Sequence, residues 1–155
     1  MNNSRIIKLV KDYKPLPMDI GDEIYPNGIF NFSISRICEH IALGELKSEK
    51  EQIDIKEWFK SHIRGLVNEE HLPSVDVSKA VIQVEIRPDR YEIIDGNHRI
   101  KKACHDGLEV IESFKLKGEH LLPYFADERG YKAFVEYWNL KVKEDNKSKK
   151  LNKRK

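Results

Sequence analysis

The chain has 155 residues, 39% of them hydrophobic, which is enough core for one ordinary domain and too little chain for a multi-domain assembly. No apolar run approaches the ~20 residues of a membrane span, and Met1–Val10 holds no stretch of signal-peptide length, so no membrane partner and a cytoplasmic address are expected. The net charge of +2 is uneven: Lys141–Lys155 carries eight Lys/Arg against Glu144 and Asp145, a local +6, which leaves −4 on the body and excludes a basic nucleic-acid-binding domain by overall composition.

In chain order, Arg5–Val10 reads as an edge strand and is followed by Lys14-Pro15-Leu16-Pro17, which stops regular structure. Residues 18–32 read as a short extended piece, a turn at Pro26-Asn27-Gly28 and an approach to a helix. That helix spans Ser33–Leu43: Ile34, Ile37, Cys38, Ile41 and Ala42 share one face, Ser33 stands at the N-cap and Gly44 at the C-terminal glycine position. Residues 45–52 are polar and read as a connector. A second helix follows, with Asp54 and Glu57 at capping-box spacing and an apolar stripe of Ile55, Trp58, Phe59, His62, Ile63 and Leu66; residues 67–78 form a loop interrupted by Pro73.

Ala80–Arg87 is rich in β-branched residues and reads as a strand. It is joined by a Pro88-Asp89 turn to a second strand, Tyr91–Asp95, the pair forming a hairpin. Residues 96–107 form a short helix closed by Gly107, and Val110–Leu116 is a further strand. The last helix, Glu128–Val142, presents Tyr131, Phe134, Val135 and Trp138 to the core. The order is neither a repeated βα pattern nor all-β, so an α+β fold is expected, a small mixed β-sheet flanked by helices. Residues 1–142 are read as one domain and 143–155 as a basic, disordered tail. Cys38 and Cys104 are too few for a disulfide framework and are expected to be buried thiols; their spacing and that of the histidines suits no common zinc site, so no metal ligands are assigned.

The chemistry is concentrated where the hairpin meets a helix, at Asp95-Gly96-Asn97-His98-Arg99. A helix N-terminus leaves backbone N–H groups without acceptors and carries about half a positive charge. Gly96 allows a tight turn and close approach of a ligand, Asn97 is placed to cap the helix, and Arg99 has the planar fork that matches phosphate oxygens. Basic residues in the first turn of a helix are unfavourable without an anion, so His98 and Arg99 point to phosphate binding by Gly96, Asn97, His98 and Arg99.

The stretch Tyr91–Gly107, YEIIDGNHRIKKACHDG, resembles the signature of the ParB/sulfiredoxin-like superfamily, with Asp95, Gly96, His98, Arg99, Ala103 and Gly107 in the matching places. The resemblance is strong over Val81–Gly107 and loose over Ile20–Leu66, where Pro26-Asn27 precedes a helix as in ParB-type N-terminal domains. It implies a ParB/sulfiredoxin-like α+β fold whose loop binds the phosphates of a nucleotide, here ATP or CTP with Mg²⁺. Sulfiredoxins carry a reactive cysteine immediately before the His-Arg pair; Asn97 stands there, so redox repair is not implied. Partition-type members bind CTP through G-E-R-R and carry a helix-turn-helix module, for which the chain after Gly107 leaves no room. A free-serine kinase branch carries D-G-x-H-R, which Asp95–Arg99 matches at each position, but its upstream catalytic glutamate has no counterpart, since Glu23 and Glu39 fall off the motif. The resemblance therefore implies a stand-alone nucleotide-binding protein and leaves open whether it is an enzyme; if it is, phosphotransferase or nucleotidase chemistry is implied, with Asp95 and His98 as the candidate catalytic pair, Asp95 orienting His98 or a metal, and Asp95 or Asp106 as a candidate for holding Mg²⁺. Two alternatives stand beside it. One is a DNA-associated module, a ParB-like nuclease or a plasmid or mobile-element regulator, with the basic tail on phosphates. The other is a non-catalytic interaction protein.

Overall fold

The computed structural model describes residues 5–27, 30–62 and 74–153. It has the expected α+β character: a small mixed sheet with helices. The chain falls into two compact units, one drawn from residues 1–47, 85–91 and 117–155, the other from 48–84 and 92–116. Among the described residues no helix is long and apolar enough to cross a membrane.

In the first unit, β1 (Ile24–Asn27) and β2 (Phe30–Ser33) pair antiparallel, with Ile24 opposite Ser33. Helix α1 (Ile34–Ala42) follows directly. Ser33 stands at its N-cap as the sequence predicts but makes no capping bond, and its hydroxyl is buried without a partner. The first amides are satisfied instead by the Glu23 carbonyl, which accepts from Ile34 N at 2.9 Å and Ser35 N at 3.3 Å. Cys38 is exposed, not buried: the apolar face of α1 narrows to Ile34 and Ile37.

A 3-10 segment, Gly118–Tyr124, leads to α4 (Glu128–Lys153). Tyr131, Phe134, Val135 and Trp138 are all buried, as their spacing requires, and Phe125 packs on Phe32 and Phe134 with ring centroids 5.1 and 5.0 Å apart. The helix does not stop at Val142; it runs on through Lys153. Residues 143–153 hold no Gly or Pro and are dominated by strong helix formers, and lysines favour the C-terminal half of a helix dipole. Arg154 and Lys155 lie outside the described residues.

Residues 5–10 are not a strand. Side chains of α4 take the place of ladder partners: Trp138 Nε1 donates to Arg5 O at 2.8 Å, Asn139 accepts from Ile7 N and donates to Ile7 O, and Tyr131 OH accepts from Val10 N at 2.9 Å.

The second unit holds β3 (Glu49–Asp54), α2 (Ile55–Ser61), β4 (Val81–Arg87), β5 (Arg90–Asp95), α3 (Asn97–His105) and β6 (Val110–Leu116); the hairpin tip, residues 85–91, groups with the first unit. The sheet order is β3-β6-β4-β5, with β6 antiparallel to β3 and parallel to β4. Strand β3 lies where a polar connector is expected. It is an edge strand with four mainly exposed polar residues, Glu49 to Gln52, and its pairing with β6 leaves no apolar alternation to read in the sequence. Asp54 caps α2 by accepting from Glu57 N at 3.1 Å. Ile53, Val81, Ile93, Ile100, Ala103 and Ile111 form the core of this unit, with Trp58, Phe59 and half-buried Cys104 packed against it. His62 closes the described part of the apolar stripe: its ring stacks on Trp58 at 3.6 Å and its Nδ1 lies 2.8 Å from Trp58 O. Ile63, Leu66 and the loop through Pro73 lie outside the described residues.

Candidate functional site

The Asp95–Arg99 loop begins where β5 leaves the core after buried Ile93 and Ile94. Gly96 then adopts φ +101°, ψ 21° at the N-cap of α3. A Cβ there would lie 2.6 Å from Val81 Cγ1, so both the backbone conformation and the neighbouring strand require glycine. Asn97 is expected to cap the helix, but Gly96 holds that position. Asn97 is the first helical residue, and its side chain donates back to Ile93 O at 3.1 Å. The turn reverses the chain tightly enough that the cap position needs a positive φ, which asparagine adopts less readily than glycine.

The first helical hydrogen bond runs from Ile100 N to Gly96 O at 3.0 Å. The N–H groups of Asn97, His98 and Arg99 precede it and have no acceptor within the helix. The first turn contains no acidic residue, and its N-cap residue, a glycine, has no side chain with which to cap it. Asn97 and His98 are exposed beside these amides. A nine-residue helix thus opens with amide donors that have no acceptor within the helix, a neighbouring imidazole and no carboxylate in its first turn.

Arg99 and Asp95 are brought together. Arg99 Nη2 donates to Asp95 Oδ2 at 2.9 Å, and Nη1 donates to the Ala80 carbonyl at the start of β4. Asp95 is therefore held by Arg99 instead of orienting His98, and the guanidinium braces the loop against the neighbouring strand. Lys102 adds a second tie, from Nζ to Val75 O at 3.1 Å. The residues do not fit a protein-held Mg²⁺: Asp95 faces a guanidinium, Asp106 lies beside His105 and Lys102, and no three His, Cys, Asp or Glu converge among the described residues.

Two polar clusters escape a reading of the sequence. In the first unit, the fully buried carboxylate of Glu85 accepts from Arg5 Nη1 and Nη2 at 2.9 and 2.5 Å, from Asp89 N at 2.7 Å and from Gly118 N at 3.1 Å. Arg5 also donates to both oxygens of Glu119 and lies 4.8 Å over the Trp138 ring. Burial pushes the Glu85 carboxyl up, but the hydrogen bonds from Arg5, Asp89 and Gly118 outweigh it and hold the group below the usual carboxylate range. Arg5 holds Glu119 down likewise, chiefly by its hydrogen bonds. In the second unit, buried Gln83 donates to Ser113 Oγ at 2.9 Å, and Ser113 Oγ donates to Glu51 O at 2.8 Å. The available signal is a pair of polar residues, Gln83 and Glu85, at alternate positions inside a β-branched run, which puts both on one face of a buried strand.

Comparison of the chain with protein-family models, with curated proteins and with solved structures gives no match.

Proposed function

We propose that this chain binds the phosphate groups of a nucleotide, ATP or CTP, at the start of α3, in the way its resemblance to the ParB/sulfiredoxin-like superfamily implies. The supporting observation is the left-handed Gly96 turn, which opens a nine-residue helix with no acid and no side-chain cap in its first turn. In this reading the amides of Asn97, His98 and Arg99 donate to phosphate oxygens and His98 adds a side-chain donor. Asp95 and Arg99 act as positioning residues that hold the loop in shape, with the Arg99 charge close to the bound anion. His98, exposed beside the same amides, is the group for proton transfer in phosphoryl transfer or hydrolysis. Any Mg²⁺ travels with the nucleotide phosphates, since the described residues offer it no site.

Calorimetric titration with ATP, CTP, GTP and ADP, each with and without Mg²⁺, tests the reading on the wild type and on His98→Ala. Saturable binding of one triphosphate is expected, weakened about tenfold in the variant, the loss of one hydrogen bond to a charged group. A folded wild type that binds none of the four contradicts it.

A further inference from the structure

Helix α4 carries a feature that the phosphate loop does not use. Val142 is its last buried residue among those described. Beyond it Lys143, Lys147 and Lys150 recur at i, i+4 and i+7, which places them within about 60° of one another around the helix, on the side turned away from buried Phe134 and Trp138. All three are exposed, and none has an ion-pair partner among the described residues; the nearby Lys141–Glu144 pair lies off this line. The helix dipole favours lysines in the last turn on any face. It does not explain why these three share a face.

We infer that this face of α4 is a docking surface for the phosphate backbone of a nucleic-acid duplex, without base readout. The lysines span about 10 Å of helix, against one negative charge per ~1.7 Å along a duplex. No aromatic residue lies on the line, so stacking on unpaired bases is not supplied. A membrane surface fits less well, because an interfacial helix buries its apolar face in lipid and the apolar face of α4 is already in the protein core. The surface belongs to α4 alone and does not depend on nucleotide binding at α3.

The test is fluorescence anisotropy with a labelled mixed-sequence DNA duplex and the full chain, across a salt series. Three phosphate contacts predict a slope of about −2.7 in log K against log salt, a loss of about 40-fold between 50 and 200 mM. The variant carrying Lys143→Gln, Lys147→Gln and Lys150→Gln, with its helix content checked by circular dichroism, is expected to lose binding and slope together. A control carrying Lys8→Gln, Lys47→Gln and Lys56→Gln removes the same charge at exposed positions elsewhere and is expected to bind like the wild type. Equal losses in both variants would assign binding to net charge and overturn the inference. So would the absence of salt-dependent duplex binding, or lysine-dependent binding to anionic vesicles without binding to the duplex.

Discussion

Replacing Arg5 by alanine is expected to lower the unfolding free energy by about 3–5 kcal/mol, measured by urea titration at neutral pH. Glu85 is fully buried, and Arg5 is its only charged donor among the described residues; without it the carboxylate keeps the amides of Asp89 and Gly118. A buried charge stripped of its counter-ion is among the costliest single changes available to a fold. The double variant Arg5→Ala, Glu85→Gln removes that charge and is expected to recover part of the loss, so the two changes will not add. A double variant that costs the full sum of the two single losses would show that the pair is not coupled.

The same cluster sets an acid limit. Glu85 and Glu119 are both held below the ordinary carboxyl value when folded, so their ionisation favours the fold. That contribution is complete above the unfolded value of about 4.3 and is lost as pH falls through the lower folded values.

Gly96→Ala is expected to abolish nucleotide binding and to cost about 1–3 kcal/mol of stability. The added Cβ meets Val81 at 2.6 Å, and φ +101° is a conformation that alanine rarely adopts. Relief of either conflict rotates the first turn of α3 and carries the three amide donors out of register. A milder comparison comes from Asn97→Ala, which removes the bond to Ile93 O and leaves the glycine turn intact. Retention of wild-type nucleotide affinity in a folded Gly96→Ala variant would show that the turn is architectural only.

Much of this structure is legible in the sequence because its core elements follow regular spacing. The face of α4, the Asp54 cap and the β4–β5 hairpin each stand where periodicity and turn residues place them. Strand β3 was not legible: an edge strand made by pairing with β6 needs no apolar alternation, so Glu49 to Gln52 look like a connector. Residues 5–10 have a strand's composition, yet bonds from Trp138, Asn139 and Tyr131 satisfy their backbone, a partnership more than 120 residues away in sequence. At the candidate site the residue types and the turn were readable, whereas the partners were not. Spacing places Asp95 four residues before Arg99, across the strand-to-helix turn, but only the fold brings them together and gives the second guanidinium nitrogen to Ala80 O.

The most direct measurement is an amide ¹H–¹⁵N titration of the wild-type chain with the nucleotide that calorimetry selects, or with pyrophosphate. Binding at the start of α3 predicts saturable shifts concentrated on the amides of Asn97, His98 and Arg99, which are abolished in Gly96→Ala. Saturable shifts confined to other residues, or none at all at ligand concentrations that saturate calorimetric binding, would contradict a phosphate site at the start of α3.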